Sequence, residues 1–533
     1  YVVRLEDLNY HILHFIHGTG DTNLPVEAIT ASWQDRLSQA IETFKPDLVG
    51  LSCMYAMTHT VMLRTAEFVK SLRADLPEVV GCVHATFSKD VILRATPAVD
   101  FVALYECDIS FGELLDFAQG RVGLDHLAQI ATRVDGEIVA LETRNTPSLP
   151  IIQEGPDYGD LPIGDYSRVG QVGIFGFLYG KQVKAGTMLA NRGCRANCSF
   201  CIVRSFNGPK VRGRSIDHIV DNMARLKETY GITHFTWMDD DLFYDANRCM
   251  ALFNEMTRRN LGVTWDASNG VMASTVAIHP EILEGAAQSG CIALAFGVES
   301  GSERILKSIH KPSNIRHYLK VSELLENYPG IFTKGFLMIG FPNETVEEIW
   351  NTINLANQLQ FDWSSVQIVT PLPTTEMYEQ IVEAEPERGT LYLGFRESDR
   401  QKRVEGSGFQ QFFKLLEAKR DYAPVPEELH HIWFEADYLV NYPRILTLTD
   451  PARLNKIRLF LTDVCDRRVG SNPIPNLFLA VVNGRLGHTQ AASQRMDRAK
   501  EFFDENPYWE IRMRDLQINF DDLFSQCRKV VHG

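Results

Sequence analysis

The chain has 533 residues, of which 45% are hydrophobic and 23% charged, a balance that is typical of globular proteins and excludes a mainly disordered or fibrous chain. Fifty-three Lys and Arg residues against 68 Asp and Glu residues give a formal net charge of −15. We therefore expect no nucleic-acid partner, because phosphate binding depends on cationic side chains.

Targeting signals and cysteine usage indicate the compartment. No apolar run reaches the roughly 18 residues of a membrane-spanning helix, so no membrane span is predicted. The first residues show no basic region followed by an apolar one, so we expect no signal peptide; the chain does not start with Met, so we expect a short piece to precede it. Ten cysteines are too few for a disulfide scaffold, which predicts a reducing, cytoplasmic location.

Residues 1–145 alternate between helical and strand patterns. Apolar residues at helical spacing predict a helix over residues 26–44, and a short buried strand follows at 48–52. A helix at 60–73 and strands ending at residues 81 and 104 complete the pattern. Strands separated by helices predict a doubly wound α/β domain with a parallel sheet, which binds ligands beyond the carboxyl ends of its strands.

Residues 146–184 are rich in Pro and Gly and are predicted to link two domains. Residues 185–390 then show a second series of alternating strands and helices, which predicts a partial or full (β/α) barrel with its chemistry at the carboxyl ends of the strands. The predicted strands are 187–190, 234–239, 264–267, 292–297, 335–340 and 365–370.

Helical patterns dominate residues 391–533, which we interpret as a small helical domain. Asp450-Pro451 is a favourable helix start, and residues 489–503 form an amphipathic pattern. Aromatic residues in this region are candidates for a roof over the barrel, with an ordinary helical core as the alternative. They are Phe412, Phe413, Tyr438, Tyr442, Tyr508 and Trp509.

Three cysteines with C-x3-C-x2-C spacing follow the first predicted barrel strand: Cys194, Cys198 and Cys201. Three thiolates on one short loop can converge on a metal centre. A structural zinc site requires four ligands, and the nearest His, His218, lies in a predicted helix. An iron–sulfur cluster held by three Cys leaves one iron without a protein ligand, free to bind a substrate or cofactor, which is typical of a catalytic site.

This triplet resembles that of the radical S-adenosylmethionine (SAM) enzymes. The resemblance implies a [4Fe-4S] cluster whose open iron binds SAM, and reductive cleavage of SAM to a 5′-deoxyadenosyl radical. It also implies that Phe200, the aromatic before the third cysteine, lies against the adenine, a role compatible with simply packing the loop.

Later barrel segments are similar to further family motifs, in the same order. The Asp run after the second strand stands where the family has a Gly-Gly-Glu-like turn for the methionyl amine, with an acidic surface loop as the alternative. Gly-Val-Glu-Ser-Gly and Gly-Phe-Pro-Asn-Glu-Thr follow the fourth and fifth strands, and Thr374 replaces a Gly after the sixth. The SAM contacts implied by the resemblance are Phe200, Asp239, Asp240, Glu299, Ser300, Gly340 and Pro342.

The N-terminal segments 45–54, 81–86 and 98–106 resemble the cobalamin-binding domain that precedes many radical SAM barrels. The cobalamin contacts thereby implied are Ser52, Cys53, Met54, Gly81, His84, Ala85, Thr86, Tyr105 and Glu106. Two features differ from that domain. The Asp-x-His-x-x-Gly loop is absent, with His17-Gly18 a look-alike at the wrong spacing, and the usual Gly-Glu-Gly-Glu reads Tyr-Glu-Cys-Asp. A degenerate domain that binds nothing is the alternative.

Together these resemblances imply a cobalamin-dependent radical SAM enzyme that transfers a methyl group from methylcobalamin to an unactivated carbon. Two alternatives stay open: radical cyclisation or rearrangement of a natural product without net methylation, and a non-catalytic corrinoid- or cluster-binding protein. We expect a small-molecule or short-peptide substrate and an electron donor such as flavodoxin or ferredoxin.

Overall fold

The computed structural model describes residues 1–533 except 22–23, 145, 154, 160, 385–425, 469–470 and 533. In the N-terminal part, three parallel strands stand in the order β1–β2–β3, and an antiparallel hairpin, β4 and β5, continues the sheet. Val79 and Val80 point into separate hydrophobic clusters, so both faces of this sheet are covered. The strands are β1 Val49–Ser52, β2 Glu78–Gly81, β3 Phe101–Ala103, β4 Ile130–Val134 and β5 Glu137–Leu141.

The β4–β5 hairpin was not predicted from the sequence, although its turn carries a recognisable signal. Asp135 and Gly136 have φ of 51° and 87°, the left-handed pair that a two-residue type I′ turn requires. Asp-Gly is among the preferred sequences for that turn. The hairpin places an antiparallel edge on an otherwise parallel sheet.

The central sheet contains six parallel strands in the order β6–β9–β10–β11–β12–β13. The predicted partial (β/α) barrel and its six strands are confirmed, with ends that differ by a few residues. The strands are β6 Ala185–Met188, β9 His234–Trp237, β10 Thr264–Val271, β11 Cys291–Glu299, β12 Phe332–Ile339 and β13 Trp363–Ile368. A short antiparallel pair, β7 Asn191–Arg192 and β8 Arg212–Gly213, follows β6.

Side chains alternate along β11 and show how the barrel is filled. Leu294 and Phe296 pack into the outer core beneath the surrounding helices, whereas Ala293 and Ala295 face inward. The inner face at the amino ends of the strands is covered by the segment around Phe175 and Phe177 and by C-terminal helices. The carboxyl ends are therefore left for ligands, as the fold leads one to expect.

The α-helices between and around the strands give the sheets their cover. Those of the N-terminal part are Leu8–Thr19, Val26–Phe44, His59–Leu72, Val83–Phe87, Lys89–Ala95 and Ser110–Ala118. Those of the connecting and central parts are Leu149–Gln153, Tyr166–Val169, Val203–Asn207, Ile216–Tyr230, Ala246–Arg258, Ala273–Ile278, Glu281–Gln288, Glu303–Ser308, Ile315–Leu325, Val346–Leu359 and Glu376–Ala384. Short 3-10 turns occur at Ala56–Thr58, Leu124–His126, Ile163–Asp165, Gly176–Leu178 and Pro443–Leu446, and a π-turn at Val464–Arg468.

The C-terminal helices form a compact bundle against the inner face of the barrel. The ring of Phe460 lies 4.5 Å from that of Trp363 and 6.1 Å from that of Phe332, both at the amino ends of strands. As predicted, Asp450 caps a helix, accepting from the Arg453 amide at 2.7 Å. The helices are Pro426–Asn441, Pro451–Asp463, Pro473–Arg485, Thr489–Glu505, Pro507–Asp515 and Phe520–His532.

Of the aromatic residues proposed as a roof, Tyr438 and Tyr442 lie in the helical core instead. Tyr438 and Tyr442 are buried against Phe478 in the core below the barrel, away from the carboxyl ends of the strands. The indole of Trp509 donates to the Ser471 carbonyl at 3.0 Å. Residues 412–413 and the predicted boundary at 390 lie outside the described residues, and the boundaries at 145 and 184 stay predictions. Within the described part of the chain, none of the helices combines the length and apolar character needed to traverse a bilayer.

Candidate functional site

The cysteine loop runs between β7 and β8, at the carboxyl end of β6. Its three cysteines, Cys194, Cys198 and Cys201, are half-buried free thiols. Gly193 has φ of 87°, and a Cβ atom there would lie 2.6 Å from the Lys210 carbonyl oxygen, so the turn into the loop requires glycine.

Backbone hydrogen bonds attach this loop to two later elements. The Ser199 amide donates to the Ile309 carbonyl at 3.1 Å, and the Ser199 carbonyl accepts from the Met377 amide at 3.0 Å. The Cys201 amide closes a turn onto the Cys198 carbonyl at 3.0 Å. The loop is thus fixed to the barrel even though it carries little regular structure.

The three thiols share one electrostatic environment. Burial raises the pKa of Cys194 to about 12, and the Asp241 carboxylate adds to that shift. Burial likewise raises the pKa of Cys198 and of Cys201 to about 11, and each thiol is also affected by a neighbouring thiol of the triplet. Such thiols lose their protons when a metal centre binds, because the ligand is the thiolate. The donor set of three cysteines fits an iron–sulfur cluster. Across the ranges that the structure describes, no three Cys, His, Asp or Glu side chains are arranged to hold a single metal ion.

Asp239 and Asp240, the carboxylates predicted to bind the methionyl amine, have different surroundings. Asp239 is buried and accepts from the Ala190 amide at 3.0 Å and the Asn191 amide at 2.6 Å, so it holds the end of β6. Burial raises its pKa to about 7 against the effect of those amides. Asp240 is half-buried and accepts from the Asn207 side chain at 3.2 Å. Burial raises its pKa to about 6.

Asp241 is a candidate site residue that the sequence analysis missed. It is buried, forms an ion pair with Arg195 at 3.1 Å and lies 3.9 Å from the Cys194 sulfur. Its Oδ1 atom is buried and has no hydrogen-bond partner among the described residues. An unpartnered buried carboxylate oxygen beside the cysteine loop suits a cationic ligand group. The third Asp of the run was the signal that could have identified it.

Glu299 and Lys311 form a largely buried ion pair at the end of β11. Lys311 donates to Glu299 Oε1 at 2.7 Å, with 12% and 9% of the two side chains exposed. Burial acts to lower the pKa of Lys311, but the Glu299 carboxylate, together with Tyr318 and Cys198, raises it by more, so the pKa lies above its ordinary value. Lys311 also lowers the pKa of Cys198, so this pair lies near the cysteine loop. Glu299 was predicted from the sequence, whereas Lys311 was not.

The other predicted SAM contacts form the surrounding loops. Ser300 is buried and its hydroxyl accepts from the Ser302 amide at 3.1 Å, which shapes the turn after β11. Gly340 and Pro342 are half-buried in the turn after β12. Phe200 packs on the outer core, with its ring 6.4 Å from that of Phe341 in that same turn. These residues surround the same end of the barrel as the thiols, and their contacts with SAM stay predictions.

The residues after β1 and β2 that were predicted to contact cobalamin divide into a buried and an exposed group. Cys53, His84, Ala85 and Thr86 are buried, and the Ala85 amide donates to the Cys53 carbonyl at 3.3 Å. Ser52 and Met54 are exposed, and Gly81 is half-buried. The buried group therefore joins neighbouring loops, while the exposed group is available to a ligand.

His84 has a partner that the sequence analysis missed. His59 Nδ1 lies 3.0 Å from His84 Nε2, and burial, with His59 nearby, lowers the pKa of His84 to about 4. The two rings meet edge to face at 5.1 Å. His84 is therefore a neutral, buried histidine at neutral pH.

Tyr105 and Glu106, after β3, face the barrel. Tyr105 has φ of 58°, in a position where the resembling domain has Gly, and its amide donates to Thr86 Oγ1 at 2.9 Å. Glu106 forms ion pairs with Arg192 and Arg212 on either side of the cysteine loop. Direct contact therefore joins the N-terminal domain to the barrel at the carboxyl ends of their strands.

Comparisons with known proteins agree with this arrangement. A family model described as the radical SAM superfamily matches residues 188–356, and one described as a B12 binding domain matches residues 19–115. An uncharacterized methyltransferase of Pyrococcus horikoshii is 27% identical over 351 residues, which cover 65% of this chain and 72% of that protein. Cytidylyl-2-hydroxyethylphosphonate methyltransferase of Streptomyces wedmorensis is 25% identical over 399 residues, covering 68% of this chain and 72% of that protein.

Among solved structures, the cobalamin-dependent S-adenosylmethionine radical enzyme OxsB, with aqua-cobalamin and S-adenosylmethionine bound, aligns with a TM-score of 0.52. The alignment covers 99% of this chain and 81% of that one at 13% identity, which shows a shared fold. The family expected from the cysteine triplet and the N-terminal loops is thereby confirmed. The chain therefore carries a B12-binding domain followed by a domain of the radical SAM superfamily.

Proposed function

We propose that this chain is a cobalamin-dependent radical SAM enzyme that transfers a methyl group to an unactivated carbon of a small molecule or short peptide. The observation that carries the proposal is the cysteine loop itself. Three half-buried thiols, with Asp241 and the Glu299–Lys311 pair beside them, stand at the carboxyl ends of the barrel strands. Arg192 and Arg212, on either side of the loop, pair with Glu106 of the B12-binding domain. The methyltransferases among the relatives support the same outcome.

The bound groups supply the difficult chemistry. Cys194, Cys198 and Cys201 would hold a [4Fe-4S] cluster, which would supply the electron for reductive cleavage of SAM, and methylcobalamin would supply the methyl group. The electron comes from a small donor protein such as flavodoxin or ferredoxin.

The protein's own residues bind and orient the ligands and keep water away from them. Asp239 holds the end of β6 and with it the start of the cysteine loop. The carboxylate of Asp241, with one oxygen unpartnered, is placed to accept a hydrogen bond from an ammonium group. Glu299, fixed by Lys311, is the acceptor for the ribose hydroxyls, and Phe200 with Phe341 provides an apolar surface for the adenine. Such fixed positioning is the protein's share of catalysis.

The test is anaerobic reconstitution with iron and sulfide, followed by reductant and SAM. We expect 5′-deoxyadenosine from the wild type and none from Cys194→Ala, because the cluster loses one of its three ligands. Binding of hydroxocobalamin should be unchanged in that variant. Cys249→Ala is the matched control, since Cys249 is a free thiol buried elsewhere in the barrel. Formation of 5′-deoxyadenosine by Cys194→Ala would show that the triplet has been misassigned.

Product mass distinguishes methylation from the alternatives. Methylation adds one CH2 unit, whereas cyclisation or rearrangement without net methylation does not. A corrinoid- or cluster-binding protein without catalytic activity would release no 5′-deoxyadenosine at all. The absence of 5′-deoxyadenosine from a wild type with a full cluster would therefore contradict the proposed function.

A further inference from the structure

The two short strands that flank the cysteine loop bring like charges together. In the antiparallel β7–β8 pair, Arg192 stands directly opposite Arg212. Like charges in directly opposite positions destabilise a strand pair. Because all three cysteines lie between these strands, whatever neutralises the two guanidinium groups also holds the two ends of the cysteine loop together.

The neutralising group comes from the B12-binding domain. Glu106 Oε1 accepts from Arg192 Nη1 at 3.2 Å, and Glu106 Oε2 accepts from Arg212 Nη2. The Asp108 carboxylate accepts a bidentate pair of hydrogen bonds from Arg192, at 2.9 and 3.0 Å. The Glu106 and Arg212 side chains are only 9% and 14% exposed, so the interaction is shielded from solvent.

Arg212 also forms hydrogen bonds to two other segments of the chain beside its ion pair with Glu106. Its guanidinium also donates to the Pro147 carbonyl at 3.4 Å, in the predicted linker, and to the Asn207 carbonyl at 3.2 Å, just after the cysteines. Three segments thus meet at one side chain whose charge is balanced by Glu106.

An aromatic contact lies beside the charged one. The Arg144 guanidinium sits 3.8 Å from the centre of the Tyr105 ring and donates to the Ser205 carbonyl. The Phe206 ring lies 6.5 Å from that of Tyr105 and 6.4 Å from that of Phe87. The loop after β3 is therefore attached to the segment after Cys201 by both ion pairing and contacts between tilted aromatic rings.

We propose that Glu106 is a positioning residue that holds the cysteine loop in register with the B12-binding domain by neutralising Arg192 and Arg212. Both of its carboxylate oxygens accept from arginines, and this role is the alternative to the direct cobalamin contact predicted for it. The consequence for catalysis rests on the proposed function, whereas the effect on the loop does not.

The first test is hydrogen exchange of the protein without SAM or corrinoid. In Glu106→Gln we expect the amides of residues 191–213 to exchange roughly tenfold faster, because two facing guanidinium groups lose their shared counter-charge. Glu255→Gln is the matched control: Glu255 also accepts from two arginines, Arg258 and Arg259, but within one helical region. If exchange in 191–213 rises no more in Glu106→Gln than in Glu255→Gln, the proposal is overturned.

The second test separates charge balance from simple loss of contact. Adding Arg212→Gln to Glu106→Gln removes the repulsion between the strands, so exchange in 191–213 should slow again relative to Glu106→Gln alone. A double variant that exchanges as fast as, or faster than, Glu106→Gln contradicts the charge-balance role.

The third test addresses the competing role of Glu106 as a corrinoid contact. That role predicts weaker hydroxocobalamin binding in Glu106→Gln with normal exchange in the unloaded protein, and this outcome overturns the proposal. In the reconstituted enzyme, 5′-deoxyadenosine formation should fall about tenfold in Glu106→Gln and stay unchanged in Glu255→Gln. If the wild type itself forms none, the proposed function fails, while the exchange results still decide the role of Glu106.

Discussion

The acidic side chains at the mouth of the barrel show how residues of one type acquire different tasks. Asp239 binds backbone amides, Asp241 pairs with Arg195 and keeps one oxygen unpartnered, and Glu299 is paired with Lys311. The sequence predicted the cysteines because three ligands within eight residues form a local pattern. It missed Asp241 and Lys311 because their roles depend on contacts with residues 47 and 12 positions away.

The Glu299–Lys311 pair permits a prediction about stability. In Lys311→Met, the Glu299 carboxylate is left buried and unpaired, so we expect the free energy of unfolding to fall by about 3 kcal/mol or more. Urea denaturation of the unloaded protein measures it. Lys307→Met, at an exposed position of the preceding helix, should change stability by less than about 0.5 kcal/mol. The double variant Lys311→Met with Glu299→Gln should recover most of the loss; equal effects of Lys311→Met and Lys307→Met would contradict the prediction.

A second prediction concerns Glu344, in the turn after β12. Burial raises its pKa from an ordinary value of 4.5 to about 8. The carboxylate also accepts hydrogen bonds from the Gly340 and Phe341 amides, which act to lower the pKa but do not offset burial. Because the pKa is raised on folding, the contribution of Glu344 to stability is complete below pH 4.5 and is lost as the pH rises towards 8. The expected loss is of the order of 1.4 kcal/mol per pH unit within that window.

Glu344→Gln should therefore flatten the dependence of the unfolding free energy on pH, because glutamine does not ionise. Urea denaturation between pH 4.5 and pH 8.5 measures the difference from the wild type. Glu347→Gln, at an exposed neighbouring position, should leave the wild-type slope unchanged. Parallel curves for the wild type and Glu344→Gln would show that Glu344 ionises normally in the folded protein.

At the scale of elements, the long periodic patterns were predictable and the short pairings were not. The helix Val26–Phe44 and the six barrel strands follow from apolar spacing, because their buried faces repeat over many residues. The β4–β5 hairpin and the two-residue strands β7 and β8 carry too few residues for such a pattern. Their existence depends on a turn type and on charges supplied from another domain.

The hairpin turn offers a test in which only backbone conformation changes. A Cβ atom at Gly136 would meet nothing within 4 Å, so the cost of Gly136→Ala comes from its φ of 87° alone. We expect a loss of about 1 kcal/mol in the free energy of unfolding. Gly330→Ala is the matched control, since that position is equally open and does not have a positive φ; it should be neutral or slightly stabilising. Equal stability of the two variants would contradict the left-handed turn.

At the scale of the whole molecule, the barrel and the C-terminal helices share one core while the N-terminal sheet has its own. Phe332 and Trp363 of the barrel strands belong to the same hydrophobic cluster as Phe460 and Phe478 of the helices. The N-terminal sheet is packed by separate clusters. Helical patterns in the sequence predicted a helical C-terminal region. The contact between that region and the barrel could not be predicted, because the two are distant in sequence and neither region's apolar pattern indicates its partner.

Phe460→Ala should therefore destabilise the barrel together with the helices. Removing a buried ring that contacts Phe332 and Trp363 should cost about 3–5 kcal/mol. Hydrogen exchange should accelerate in β12 and in the helix Pro473–Arg485 together, and stay unchanged in β2. Ile511→Ala, with 40% of that residue exposed, is the control and should have little effect. Acceleration confined to the C-terminal helices would show that the two regions unfold separately.

The aromatic packing below the barrel also bears on how ligands reach the thiols. Phe177, Phe332, Trp363 and Phe460 fill the amino end of the barrel with packed side chains, while the B12-binding domain meets the strands that flank the cysteine loop at the opposite end. A ligand bound at the thiols therefore lies on the side where that domain is seated, and the seating of the domain helps to shape its approach.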